Sequence, residues 1–135
     1  MPWTGDEYTL EFLLEFDGRI HKYGSGHFLK FEIKRVPVTA TRPHGLSYSL
    51  TLHAPEGTRL IGFDNAHGVP PPGSRFNRRP AAADHWHRTP NDPGRPYIFK
   101  DADTLLADFF KEVYRVIDEL EISDIIVAEE ERQKR

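Results

Sequence analysis

Eight apolar side chains, Leu105, Leu106, Phe109, Phe110, Val113, Val116, Ile117 and Leu120, recur at steps of one and three residues. That spacing follows the 3.6-residue period of a helix with a single apolar stripe. Asp101 stands just ahead of it, with a carboxylate suited to the first free helix amides. Thr104 takes the place of the Glu or Gln of a full capping box. A helix over 101–120 with one apolar face has to lay that face on a second layer. Burying each such side chain is worth about 1.5–3 kcal/mol before entropy.

The chain upstream supplies that layer. Residues 28–38 alternate, with Phe28, Lys30, Glu32 and Lys34 against Leu29, Phe31, Ile33 and Arg35, the pattern of a half-buried strand. Pro37 marks an edge or a strand end. Residues 46–53 alternate again, with Tyr48, Leu50 and Leu52 on one side, and a turn at 55–58 predicts an antiparallel partner over 59–63. Residues 8–16, rich in aromatics and aliphatics, read as a further strand, ending at Asp17-Gly18 and leading into 19–23. Short extended segments are expected at 84–87 and 97–99, around a turn at Asn91-Asp92-Pro93-Gly94. The fold class is therefore α+β: an antiparallel meander of roughly four to six strands with one long C-terminal helix packed on one face. Residues 122–127 are apolar and β-branched, and either finish the core or dock a partner. Residues 129–135 read as a charged, disordered tail.

Composition narrows the class. The 135 residues suit one domain, with 38% apolar and 29% charged residues and no cysteine, so disulfides and thiolate chemistry are excluded. No apolar run reaches the ~18 residues of a membrane helix, and the first seven residues lack the pattern of a signal peptide. A cytoplasmic address follows by default. The net charge of −3 is unevenly spread. Residues 75–100 carry six basic groups against Asp84 and Asp92, whereas residues 101–135 carry eleven acids against five bases. A basic island of that kind attracts phosphate even on an acidic protein.

Three of the seven histidines fall in residues 63–97. The segment opens Phe63-Asp64-Asn65-Ala66-His67-Gly68 and passes through a Pro- and Arg-rich loop to Asp84-His85-Trp86-His87. On an extended backbone His85 and His87 point to the same face, which suits a pair of proton-transfer groups or a shared metal. Asp64 and His67 complete a four-ligand set if the two segments meet, although no His-Glu-x-x-His or Cys pattern supports zinc. A metal-free reading is equally concrete. RNA carries its own 2′-OH nucleophile, and its cleavage needs a base, an acid and a cation for the phosphorane. Histidine, with a pKa of about 6.5, serves as base or acid. Arg88 or Arg95 offers a fork matched to phosphate, and Trp86 or Tyr97 can stack on an unpaired base. Asp64 and Asp84 would orient histidines. The remaining histidines, His21, His27, His44 and His53, have no acidic neighbours of note in sequence and read as surface or hydrogen-bonded structural groups.

The ordered series 63–68, Asp84-His85-Trp86-His87, Pro96-Tyr97-Ile98-Phe99 and Leu105-Leu106-Ala107-Asp108-Phe109 resembles the TumE family of toxins. That family carries a similar Tyr-Asp-Asn-x-x-Gly, Asp-His-x-His, Pro-Tyr-x-Phe and Leu-Leu-x-Asp-Phe. The resemblance covers about half the chain, roughly 48–117; the departure is the insert at 69–83, which is long for such a loop. It implies the toxin of a type II toxin–antitoxin module, a small bacterial endoribonuclease paired with a DNA-binding antitoxin. By the same match Asp64, Asn65, His67, Asp84, His85 and His87 fall on the family's recurrent polar positions, with Asn65 on the substrate side. Two alternatives stay open: a non-catalytic module that binds RNA or a protein, including a second copy of itself, and a metal-dependent hydrolase using Asp64, His67, His85 and His87.

Overall fold

The structure, a computed structural model, describes residues 11–40, 43–65 and 84–131. Seven strands form one sheet: β1 (Arg19–Tyr23), β2 (Phe28–Arg35), β3 (Leu46–His53), β4 (Arg59–Asp64), β5 (His85–His87), β6 (Arg95–Pro96) and β7 (Ile126–Glu131). Their order is β6-β5-β4-β3-β2-β1-β7, and every neighbouring pair is antiparallel. β1 to β6 are a meander, as strand alternation predicts. The long helix, Ala102–Glu119, then carries the chain back so that β7 can pair with β1 at the far edge.

The helix lies on one face of the sheet. Leu29, Phe31 and Ile33 of β2, Leu46, Tyr48, Leu50 and Leu52 of β3, and Ile61 and Phe63 of β4 are buried with Leu105, Phe109, Val113 and Ile117 of the helix in one core. Phe109 sits edge-on to both Phe31 and Phe63, at 5.9 and 6.1 Å between ring centroids. At its start the Asp101 carboxylate accepts from the Thr104 amide at 2.7 Å. At its end the Ile122 amide reaches the Ile117 carbonyl and the Glu121 amide the Asp118 carbonyl. This is a Schellman turn, and it puts Glu121 at a positive φ of 56°.

Two ends of the chain depart from the sequence reading. Residues 11–14 are helical rather than a strand. Leu13 and Phe16, one helical turn apart, are buried, and the Asp17 carboxylate accepts from the Ile33 amide at 2.9 Å. The sheet has no slot for a strand there, because the edge beside β1 is taken by β7. That strand runs through Glu131, so the expected charged tail is paired backbone for its first three residues. Lys22 and Glu130 make a 2.9 Å ion pair across the pairing. Of the apolar segment before it, Ile122 and Ile126 pack against the core, whereas Ile125 and Val127 are 65% and 62% exposed. Among the described residues no helix is long and apolar enough to cross a membrane.

Candidate functional site

Strand alternation divides the β4–β5 pair between two faces. The register sets Gly62 opposite His87, Phe63 opposite Trp86 and Asp64 opposite His85. Phe63 and Trp86 therefore face the helix, and Asp64, His85 and His87 share the other face. On β3 the same face carries Ser49, opposite Asp64, and Thr51, opposite Gly62. Gly62 matters sterically: a Cβ there would come within 3.1 Å of the Thr51 methyl carbon and 3.2 Å of Arg59 Cδ.

The three polar groups converge. His85 Nε2 lies 3.1 Å from Asp64 Oδ1, and His87 Nε2 lies 3.9 Å from Asp64 Oδ2. The two imidazoles meet edge to face, 5.0 Å apart. His85 and His87 are only 5% and 7% exposed. Nδ1 of His87 is 2.8 Å from the Asp92 carbonyl oxygen, which can only accept, so Nδ1 carries a proton and Nε2 is the nitrogen turned towards Asp64. Despite the short His85 approach, Asp64 Oδ1 is buried and accepts no hydrogen bond from the described residues. Distance alone does not make that contact a hydrogen bond.

The loop between β5 and β6 braces His87. Burial of the Asp92 carboxyl works against its ionisation, but the amides of Arg88 and Gly94 and the Arg95 guanidinium outweigh it and hold its pKa down at about 2. In sequence Asp92 reads only as a turn residue; here its side chain ties the turn while its carbonyl fixes the histidine.

Asp84 joins a different group. Its carboxylate accepts from Tyr48 Oη at 2.7 Å and from His44 Nε2 at 2.9 Å. The Leu46 amide donates to His44 Nδ1, which leaves the ring proton on Nε2. Tyr48 belongs to the helix-facing side of β3, so this group lies across the sheet from the histidine pair. Burial, and then the bond to Asp84, push the Tyr48 hydroxyl pKa up. Asp84, expected to orient a histidine, holds His44. His44 was read as structural, and its partner is invisible in sequence because 40 residues separate them.

The proposed substrate contacts also divide. Asn65 is wholly buried; its side chain accepts from the Tyr48 amide at 2.8 Å and donates to the Leu46 carbonyl at 2.7 Å, extending the sheet beyond β4. These two bonds give it a structural part in joining β3 to the end of β4. Trp86 stacks on Phe63 at 5.3 Å, and the Arg95 guanidinium lies 5.5 Å from the Trp86 ring centre. Tyr97 meets Phe63 edge-on and donates to Asp108 at 2.7 Å; burial first, and then that bond, raise its pKa. Trp86 and Tyr97 line a cleft of about 210 Å³ with Lys111 and Glu112, on the helix side. The aromatic set and the histidine pair therefore occupy opposite faces. Arg88 follows His87 directly and has an exposed side chain. His67, like the insert at 69–83, lies outside the described residues.

A comparison with protein-family models matches residues 8–117 to the family described as Toxin TumE. The match takes in β1 to β6 and nearly all of the helix, and stops short of β7. Comparisons with curated proteins and with solved structures give no match. With 110 of its 135 residues under the family model, this chain belongs to the TumE toxin family.

Proposed function

We propose that this toxin acts as an endoribonuclease whose reacting groups are His85 and His87, set by Asp64 on the face of β4 and β5 away from the helix. The observation that carries the reading is the convergence of two imidazoles and one carboxylate on a sheet face whose neighbours are Ser49 and Thr51 rather than core. His87, with Nδ1–H on the Asp92 carbonyl, offers Nε2 as a base for the 2′-OH. The 2′-oxygen then bonds to phosphorus as the bond to the 5′-oxygen breaks. His85 supplies the proton to that leaving oxygen, and the product is a 2′,3′-cyclic phosphate. In this reading the exposed Arg88, next to His87, supplies the cation for the phosphate. A DNA-binding antitoxin is the partner such a toxin requires, and an RNA target places its action in the cytoplasm. Ile125 and Val127 give a second copy or the antitoxin an apolar contact.

The test is incubation of the purified chain with total RNA, followed by analysis of the product ends. Cyclic phosphate termini that vanish in His85→Ala and His87→Ala, in variants that melt as the parent does, are the expected result. A chain that shifts RNA in a gel and leaves it intact is a binding module instead.

A further inference from the structure

We infer that Asp64, His85 and His87 form a binding site for a divalent transition-metal ion. The inference goes beyond the proton-transfer reading, because an Nε2 bound to an ion neither takes nor gives a proton; it describes the same cluster with an ion bound and is judged on metal binding, so either can fail alone.

Three observations carry it. The first is spacing. Donors bound tetrahedrally to one ion at about 2.0–2.1 Å sit about 3.3 Å from one another. Asp64 Oδ1 and Oδ2 lie 3.1 and 3.9 Å from the two Nε2 atoms, and one donor atom from each residue falls within 4.8 Å of the others.

The second is orientation. His87 Nδ1–H donates to the Asp92 carbonyl at 2.8 Å, which leaves Nε2 as the ring nitrogen on the Asp64 side. A bond from Nδ1–H to a backbone carbonyl is the usual outer support of a metal-binding histidine, fixing the tautomer and the ring orientation.

The third is Asp64 Oδ1, buried without a hydrogen-bond donor among the described residues. A buried carboxylate oxygen left so is costly, and a metal ion between it and the histidines removes the cost. The donor set selects the ion: two imidazoles and one carboxylate favour zinc, manganese or iron over magnesium or calcium, which prefer all-oxygen sites. Three protein ligands leave coordination positions for water or for a phosphate oxygen. The His44–Asp84 pair shows the contrast. There the carboxylate accepts from Tyr48 Oη and from His44 Nε2–H, so the facing imidazole nitrogen brings a proton to it.

The experiment uses the full chain, stripped with EDTA and titrated with Zn²⁺ and Mn²⁺ by calorimetry, alongside thermal melting. One ion per chain with a rise in Tm is expected, since a ligand bound only by the folded state stabilises it. Asp64→Asn, His85→Ala and His87→Ala should each weaken binding by at least about tenfold, by the scale of ligand-shell losses. His44→Gln should bind as the parent does. To guard against variants that do not fold, Co²⁺ is added to the parent and its visible ligand-field absorption recorded, where bands of imidazole and carboxylate coordination are expected. No binding by the parent overturns the inference, as does undiminished binding in all three folded variants. Metal binding by a chain that leaves RNA intact keeps the site and removes the ribonuclease reading. RNA cleavage by a chain that binds no metal does the reverse.

Discussion

Phe63 and Asp64 are consecutive, as are His85 and Trp86, yet the two faces of this strand pair obey different rules. On the helix side, Phe63 stacks on Trp86 and meets Phe109 and Tyr97 edge-on. Burial of large apolar surface accounts for each of those contacts. On the other side two buried histidines meet a carboxylate, polar groups whose lost water has to be offset by polar contacts. Adjacent residues of one strand thus answer to apolar packing on one face and to polar contacts on the other.

The sharpest way to break that comparison is to truncate one residue of each kind. Phe63→Ala should cost about 3–5 kcal/mol in chemical denaturation, as expected for a large aromatic removed from a packed core. Asp64→Asn, one position on, should change stability far less and abolish growth inhibition on expression. If Asp64→Asn unfolds the chain as Phe63→Ala does, the division between faces is wrong.

A smaller effect concerns the buried polar group on the packing side. Tyr48→Phe removes the hydroxyl that donates to Asp84 and leaves that carboxylate with His44 alone. It should cost about 1–3 kcal/mol, the range for a lost bond to a charged group, and leave RNA cleavage unchanged. Loss of cleavage at full stability would draw the Asp84 group into the reaction.

Glu121→Gly should add about 1 kcal/mol, because only glycine adopts the left-handed conformation at the end of the helix without steric cost. A shift of the denaturation midpoint at constant slope is the readout. An unchanged midpoint would mean that the Schellman turn relieves the strain.

The least visible effect is one of pH. His21 faces the packing side between Phe16 and Phe31, and its Nε2 has no hydrogen-bond partner among the described residues. Burial lowers its pKa; Glu129 of β7 opposes the shift and Arg19 of β1 reinforces it. The unfolded state therefore binds the proton more readily, and stability should fall as pH drops through the unfolded histidine value of about 6.5. His53 on β3, also lowered by burial, adds in the same sense. His21→Leu should flatten the Tm-versus-pH curve below neutrality, and an unaltered curve would remove His21 as a source.

Much of this was legible in the sequence. The apolar stripe of 105–120 and the alternation of β2 and β3 gave the helix and the sheet because burial imposes their periods directly. His85 and His87 were placed on one face by the same two-residue period. That period also sends Trp86 to the opposite face, so the separation of the aromatics from the histidines was readable and overlooked. Residues 11–14 were misread because aromatics next to aliphatics fit either element, and only the occupied sheet edge decides between them. β7 was misread because Glu129, Glu130 and Glu131 look like a solvated tail until Lys22 and the β1 backbone are set beside them. The His44–Asp84 pair arises from topology alone.

The pairing of β7 with β1 has a consequence for synthesis. These partners lie roughly a hundred residues apart, so closing them carries the largest loop entropy in the sheet. β4 and β5, by contrast, precede the helix and need neither it nor β7 to set their register. On a ribosome, β4 and β5 emerge before β7. The register that brings Asp64, His85 and His87 together is thus written upstream of the strand that closes the β1 edge of the sheet.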